Sequence, residues 1–282
     1  MGLIVNTNLF ALNAQRNVSK VQGGLGTSVE RLSSGLRVNS AKDDAAGLAI
    51  SMKLSAQVRS LNQAIRNAQD GISVVQTAEG GMNEIHNILT RMRELAQQAS
   101  TGTLATSDRT ALNNEFADLK SEITRISDTT EFNGLSLLDG TLSGSGVSLQ
   151  VGINNTDNDR ITVSGTTFYD IDASSIGLTT TNVSSIDTAA NAQSMLTIVD
   201  SAIATVSTRR GNLGGVQNRL GSTIANLGIA SENLTAANSR IVDADFAVET
   251  ANLTKSQIIL QAGIAVLGQA NVLPQYALQL LR

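Results

Sequence analysis

The feature that most constrains this chain is an apolar heptad repeat near its C-terminal end. Every seventh residue of the repeat is apolar, in the series Ala192, Val199, Val206, Leu213, Leu220, Leu227, Leu234 and Ile241. This spacing predicts one long amphipathic helix, which cannot bury its seam against itself and therefore needs partner helices. Polar residues enter the same seam at Arg210, Gln217, Ser231 and Asn238, where buried polar groups would set the helix register.

A second heptad stripe supplies the expected partner helix. Its apolar series is Leu54, Leu61, Ala68, Val75, Met82, Leu89 and Ala96. The intermediate positions begin apolar (Val58, Ile65, Ile72) and then become polar (Glu79, His86, Arg93), while Ile85, Met92 and Ala99 take over as the second row. This shift predicts a phase change partway along one helix.

Both ends of the chain carry shorter amphipathic stripes interrupted by glycine. The N-terminal stripe is Val18, Leu25 and Leu32, and the C-terminal stripe is Ile259, Val266, Leu273 and Leu280. Short glycine-containing helices are marginal alone, so these ends are expected to be weakly folded until another surface buries them. We attribute the glycine clusters at residues 23–26 and 211–215 to close helix packing.

The middle of the chain predicts one more helix and a β-rich insert. A 4-3 apolar pattern predicts a helix over residues 107–127, capped by Ser107 and with Phe116 facing the core. Alternating residues at 147–151 and 161–163 predict two strands joined by a polar turn. The order of weak helix, long helix, insert, long helix and weak helix predicts a hairpin that brings the termini together.

Composition excludes several functional classes. The 282 residues include no cysteine and a single histidine, His86, so thiolate metal centres, disulfides and cysteine nucleophiles are impossible. A net charge of -4 argues against nucleic acid as a partner. We find no catalytic constellation, no cofactor motif and no complete calcium loop, and we interpret His86 as a residue flanking the helix seam. The opening residues show no basic and apolar Sec pattern, so we do not expect a Sec signal, and no apolar run is long enough for us to expect membrane insertion.

Specific motifs lie outside the insert. Residues 32–50 read LSSGLRVNSAKDDAAGLAI, Phe132-Asn133-Gly134 precedes LLDG at 137–140, and the chain closes with LQLLR at 278–282. These segments resemble bacterial flagellin over about the first 140 and the last 90 residues. The variable middle shows no such match.

The resemblance implies a mainly α fold: a long antiparallel helical hairpin or coiled-coil bundle with a small β-hairpin-containing insert. It divides the chain into an N-terminal D0 segment (1–43), N-terminal D1 helices (44–140), a short insert (141–187), a D1 C-terminal helix (188–238) and a C-terminal D0 segment (239–282). The insert is expected to tolerate change, because it has few large apolar residues.

The resemblance also implies a function. The chain would be a secreted structural subunit, not an enzyme, that polymerises into the extracellular filament of the bacterial flagellum. Its ends would fold on assembly as the two terminal stripes become buried. The implied partners are further copies of the chain, the type III export apparatus, a cytoplasmic chaperone at the C-terminal helix, and cap and junction proteins.

Arg91, Leu95 and Glu115 match positions by which many flagellins engage the flagellin-sensing Toll-like receptor of animal cells. Arg91 and Leu95 are four residues apart and share a helix face. Leu95 lies off the main seam, so we expect it to be exposed and available to a partner. The alternative interpretation is an ordinary solvated helix face.

Two other functional classes stay open at this point. A hook–filament junction protein would have related termini, although the closing Leu280-Leu281-Arg282 favours the filament subunit. A generic helical binding or pore-forming protein is the other alternative. An enzyme is the weakest interpretation, because the residues for catalysis are missing.

Overall fold

Long helices dominate the fold. The computed structural model describes residues 7–163, 170–178 and 185–279, with side chains in the last helix described up to 272. Within these residues the helices are α1 (Leu9–Ser34), α2 (Ala45–Ala99), α3 (Thr106–Thr129), α4 (Ala189–Val242) and α5 (Phe246–Gln279). Two antiparallel pairs of strands lie between α3 and α4: β1 (Glu131–Phe132) with β2 (Leu135–Ser136), and β3 (Val147–Gln150) with β4 (Arg160–Val163). The predicted fold class is confirmed.

The chain divides into two compact units. The terminal unit comprises Met1–Val58 and Glu232–Arg282, and the central unit comprises Arg59–Ser231. Both α2 and α4 run through both units. The predicted five-part division by residue number stays a prediction.

In the central unit, α2 and α4 run antiparallel and hold each other through both apolar and polar contacts. Arg93 donates to Asp200 at 2.6 Å, and Gln217 donates to Glu79 at 2.9 Å. The seam residue Ser231 donates to Asn62 at 3.2 Å. The two heptad stripes are therefore partners, as the sequence predicted.

The predicted phase change in α2 is wrong. The row Ala64, Gly71, Ala78, Ile85, Met92 and Ala99 is buried along its whole length, beside the row Leu61 to Ala96. This row was not recognised in the sequence, because Ala64 has a small side chain and Gly71 has none. A Cβ at Gly71 would lie 2.2 Å from the Leu149 methyl carbon Cδ1, so this glycine makes room for β3. Ile65 and Ile72 are only half-buried because they flank that contact.

The third helix forms close to where the sequence placed it. Phe116 is 1% exposed and faces the core as predicted. Ser107 does not cap the helix, because α3 begins at Thr106 and Ala105 takes the cap position without a side-chain hydrogen bond. The turn between β1 and β2 has positive φ at Asn133 (53°) and Gly134 (76°), the combination that a type I′ hairpin turn requires.

The insert belongs to the central core. The strands at 147–150 and 160–163 confirm the predicted hairpin. Large apolar residues of the insert are nonetheless fully or almost fully buried, which contradicts the expectation that little core depends on them: Leu142, Val151, Ile161, Val163, Ile171, Ile176, Leu178 and Ile186. Their place in the core was not predicted because these residues are scattered among polar turn residues and follow no period. Among the described residues of the insert, the turn at 153–158 is the longest stretch that is exposed throughout.

In the terminal unit, α1 and α5 pack against each other in antiparallel orientation. The side chain of Asn8 donates to the carbonyl of Ala270 at 2.7 Å, near one end of the pair. At the other end, the Ala244 amide donates to the carbonyl of Gly35 at 2.9 Å. The predicted hairpin that brings the two ends together is confirmed, and each end is the partner of the other.

Candidate assembly and recognition surfaces

The terminal unit is poor in buried apolar residues and rich in exposed ones. Its only described apolar residues with little exposure are Val38, Val242 and Ala270. Large apolar residues stay exposed over both of its helices and the start of α2: Leu9, Phe10, Leu12, Val29, Ile50, Met52, Phe246, Val248, Ile258, Ile259, Ile264, Val266 and Val272. In the described part of the central unit, only Leu135, Ile153 and Ile229 are exposed in this way. An apolar surface of this extent marks an interaction site.

The N-terminal stripe lies where α1 meets α5. Val18, Leu25 and Leu32 are half-buried. A Cβ at Gly263 would lie 2.9 Å from the Cγ2 atom of Val18, so the two helices approach closely at this step. The N-terminal stripe therefore already has a partner within the chain.

The described residues of the C-terminal stripe are more exposed, and Ile259 lies at the edge of the α1–α5 contact, in a groove that Val21 and Gly24 also line. Ile259 is 43% exposed and Val266 is 58% exposed. The residues of α5 that turn towards α1 belong to a different row, which is Glu249, Leu253, Ser256, Leu260, Gly263, Leu267 and Ala270. The side chain of Leu273 and the whole of Leu280 lie outside the described residues. Among the described residues, the N-terminal stripe is thus more buried in the α1–α5 contact than the C-terminal stripe.

A buried polar pair joins α1 to α5 and was missed from the sequence. The Ser28 hydroxyl donates to Oε1 of Glu249 at 2.9 Å, and these residues are 5% and 7% exposed. The guanidinium of Arg31 lies 3.8 Å from the same carboxylate. A signal was present, because Ser28 stands three residues after Leu25 and four before Leu32.

The glycine clusters do not mark close packing within the chain. A Cβ added at Gly23, Gly24 or Gly26 would meet no atom within 4 Å. The same holds for Gly211, Gly214 and Gly215. The earlier interpretation is therefore wrong for this structure, in which these glycines face open space.

Arg91 and Glu115 form an exposed ion pair between α2 and α3. Nη2 of Arg91 lies 2.9 Å from Oε1 of Glu115, and Nη1 lies 3.0 Å from Glu94. The hydrogen bond to Glu115, and then the one to Glu94, raises the pKa of Arg91 above its usual value. Both Arg91 and Glu115 keep about half of their side chains in solvent, at 51% and 44% exposure.

Leu95 does not join them at the surface. It is 1% exposed and belongs to the same core cluster as Phe116. The expectation of an exposed Leu95 is wrong because α3 covers the side of α2 that lies off the seam with α4. Two of the three predicted recognition residues are accessible, and the third is part of the packing beneath them.

Sites for chemistry are sparse in the described residues. His86 is half-buried beside the seam, and its Nδ1 has no hydrogen-bond partner among them. No described group of three histidine or acidic side chains could hold a metal ion. None of the described helices combines the length and hydrophobicity that crossing a bilayer demands.

Comparison with known proteins gives consistent matches. The model of the bacterial flagellin N-terminal helical region matches residues 5–143, and that of the C-terminal helical region matches residues 196–281. A flagellin from Halalkalibacterium halodurans is 49% identical over 280 residues, covering 99% of this chain and 100% of the relative. A flagellin from Bacillus subtilis is 43% identical over 302 residues, covering 99% of both chains.

A solved structure from Vibrio parahaemolyticus, described as a flagellar hook-associated protein, superposes with a TM-score of 0.56. It is 16% identical and covers 71% of this chain and 100% of its own. At that identity the likeness shows a shared fold and nothing further.

Proposed function

The chain belongs to the bacterial flagellin family and is a structural subunit of the extracellular flagellar filament, and we propose that it polymerises through the exposed apolar surface of its terminal unit. The observation that carries this proposal is the distribution of apolar residues. In the terminal unit only Val38 and Val242 are buried among the described large apolar side chains, and thirteen are exposed, whereas the described part of the central unit exposes three. In a filament, neighbouring copies that cover these side chains would remove them from water.

Assembly would also complete the folding of the ends. In a free subunit the α1–α5 pair has few buried apolar contacts, so its opening should require little free energy. Burial by neighbouring copies adds about 25 cal/mol per Å² of apolar area, which offsets the conformational entropy lost on ordering. The pair is therefore expected to open in free subunits and to close in filaments.

The same surface accounts for the partners proposed before assembly. An apolar α5 exposed in the cytoplasm would promote premature association, and a chaperone that covers this helix would prevent it. A pair of ends that opens easily would also thread through the type III export channel. Cap and junction proteins would then contact the same surface at the two ends of the filament.

Charge substitution tests the polymerisation surface. Ile259→Asp should leave the helix content of the monomer unchanged and abolish seeded filament formation, because an aspartate would be buried without a partner. Ile229→Asp is the matched control, since Ile229 is 59% exposed but lies in the central unit. Sedimentation and electron microscopy measure filament formation by the two variants. Normal filaments from Ile259→Asp protein would refute the proposed surface.

Leu25→Asp should abolish assembly by another route. Leu25 is half-buried between α1 and α5, so a charge there should also open the pair in the free subunit. Loss of helix signal in this variant, and not in Ile259→Asp, would separate the intramolecular contact from the contact between copies.

We also propose that depolymerised subunits are detected by the flagellin-sensing Toll-like receptor of animal cells. The support is the resemblance at Arg91, Leu95 and Glu115, together with the exposed ion pair that Arg91 and Glu115 form. Leu95 would contribute indirectly, because its buried side chain holds α3 against α2. Neighbouring subunits would cover this face in the filament, so only free subunits would be detected.

Receptor signalling by the monomer distinguishes these roles. Arg91→Ala should reduce signalling at unchanged thermal stability, whereas Leu95→Ala should reduce both, with a loss of about 2–5 kcal/mol of stability. Glu84→Ala, on the same helix and away from the ion pair, is the control. Full signalling by a folded Arg91→Ala monomer would refute a role for this residue.

A further inference from the structure

The start of α2, residues 45–56, is left almost uncovered in the subunit. Within this segment Gly47 and Ser51 are the only buried residues. Ile50 is 51% exposed and Met52 is 66% exposed. Apart from Lys53, every exposed residue of the segment is apolar: Ala45, Ala46, Ala49, Ile50, Met52 and Ala56. The segment lies in the terminal unit and so belongs to the apolar surface through which copies are proposed to associate.

Met52 also differs from the other methionines that the structure describes. Met82, Met92 and Met195 are 0% exposed and belong to the core of the central unit. Met1 lies outside the described residues. A thioether is oxidised only where the oxidant can reach its sulfur. Among the described methionines, Met52 is therefore the one that an oxidant in solution can reach while the subunit stays folded.

We propose that Met52 is an oxidation site through which a peroxide controls assembly. The Met52 sulfur attacks one oxygen of hydrogen peroxide, and the O–O bond breaks. The sulfur keeps that oxygen as a sulfoxide, and the other oxygen leaves as water with both protons. The thioether is oxidised by two electrons and the peroxide is reduced by two, so no further reactant is needed.

The sulfoxide has different consequences in the free subunit and in the filament. It converts an apolar side chain into a polar one. On a free subunit the new oxygen stays in water, so the fold is unaffected. Under a neighbouring copy of the chain it loses its hydration without gaining a hydrogen-bond partner. Oxidised subunits are therefore excluded from the filament, and Met52 that is already covered in a filament is protected. The inference rests on the proposed function, because a second copy must cover the start of α2.

Peptide mass spectrometry after treatment with dilute hydrogen peroxide tests where oxidation occurs. In free subunits Met52 should be fully oxidised while Met82, Met92 and Met195 stay unmodified. In intact filaments under the same treatment Met52 should stay unmodified, and depolymerisation should restore its reactivity. Equal oxidation of Met52 in both forms would overturn the inference, as would oxidation of the three core methionines along with it in folded subunits.

Seeded assembly tests the consequence of the modification. The oxidised parent protein should keep its helix content by circular dichroism and lose the ability to sediment as filaments. Met52→Leu treated in the same way should still assemble, since leucine cannot be oxidised in this way and is close to methionine in volume. Methionine sulfoxide reductase should restore assembly of the oxidised parent. This reversal keeps the test decisive if the leucine variant itself assembles poorly.

Three results of these assembly experiments would contradict the inference. The first is normal assembly of parent protein that is fully oxidised at Met52. The second is no recovery of assembly after Met52 has been reduced. The third is loss of assembly by Met52→Leu only after peroxide treatment, which would place the damage at another residue.

Ile259→Asp separates this inference from the proposed polymerisation surface. Normal assembly of Ile259→Asp would refute that surface on α5, while protection of Met52 in parent filaments would still report whether copies cover the start of α2. Failure of Ile259→Asp to assemble, combined with normal assembly of the oxidised parent, would refute the oxidation site alone.

Discussion

One heptad repeat behaves differently in the two units of the molecule. In the central unit, α4 buries Leu213 and Leu220 completely. In the terminal unit, Leu234 and Ile241 continue the same seven-residue spacing and are only half-buried. The residues are of the same type and the helix is continuous, so the difference lies in what surrounds each segment.

The surroundings differ in the number of elements that contribute to a core. In the central unit α2, α3, both β-hairpins and the buried residues of the insert join α4 in the apolar clusters. The described part of the terminal unit has no comparable cluster, and α1 and α5 cover each other on one side only. An apolar period thus predicts that a face will be buried, but not that the chain itself will bury it. In a filament subunit, the incomplete burial is the surface that assembly uses.

The largest expected effect comes from replacing one heptad leucine by aspartate in each unit. Leu213→Asp should cost about 4 kcal/mol or more and unfold the central unit, because it buries a charge without a partner. Leu234→Asp should cost much less, since a half-buried aspartate can reach water. Thermal unfolding followed by circular dichroism measures both. Equal losses from the two substitutions would contradict the comparison.

Next in size is the contrast within the insert. Ile161→Ala should destabilise the central unit by about 2–5 kcal/mol, because Ile161 packs against Ala68 and Leu220 in a buried cluster. A short tag after Asn155, in the exposed turn, should leave stability and filament assembly unchanged. Urea unfolding and sedimentation of filaments read the two variants. Loss of assembly in the tagged protein would reveal lattice contacts made by this turn.

The third effect is a difference in the free energy of local opening between the two units, and limited proteolysis of the free subunit should detect it. We expect cleavage within α1 and α5 first, leaving a resistant fragment that spans the central unit, because the terminal pair opens at lower free energy. Mass spectrometry of the fragments locates the cuts, and intact filaments serve as the protected control. Equal resistance along the whole free chain would argue against a weaker terminal unit.

The smallest predicted effect is an acid dependence of the central unit. Burial raises the pKa of Asp172, but hydrogen bonds from the amides and hydroxyls of Ser175 and Ser174 outweigh it and hold the pKa below its ordinary value of 3.8. A carboxyl group whose folded pKa is lowered stabilises the fold above its unfolded pKa and loses that contribution as the pH falls through the folded value. Asp172→Asn should therefore flatten the loss of stability below about pH 4.

Urea unfolding at several pH values provides the measurement for Asp172. Asp157→Asn is the matched control, since its side chain is fully exposed. A parallel change in both variants would show that the effect comes from net charge and not from the hydrogen bonds at Asp172.

Much of the local structure was predictable from the sequence. The heptads predicted α2 and α4 and their pairing, and two acidic residues at 43–44 are of the type that stabilises a helix start. Asp44 indeed accepts a hydrogen bond from the Gly47 amide at 2.8 Å, just before the helix begins. The alternating residues predicted the β3–β4 hairpin. Each of these features depends on neighbours close in sequence or on a strict period.

The candidate surfaces were predictable only in part. Arg91 and Glu115 do meet, but Leu95 is buried because α3 covers it. The buried leucines and isoleucines of the insert follow no period, so nothing in their spacing indicated that they belong to the core. Both errors arise from contacts between elements that are distant in the chain.

The sequence by itself determined which segments are helical and that each helix has an apolar stripe, because periodicity places residues at known angles around a helix axis. Only the tertiary structure decided which neighbour covers each angle. On α5 the structure turns the row of Leu253 and Leu260 towards α1 and leaves Ile259 more exposed, at the edge of that contact. The physical reason is that hydrophobic burial is non-directional, so an apolar stripe does not specify its neighbour, whereas a contact such as the hydrogen bond from Ser28 to Glu249 exists only once both helices are in place.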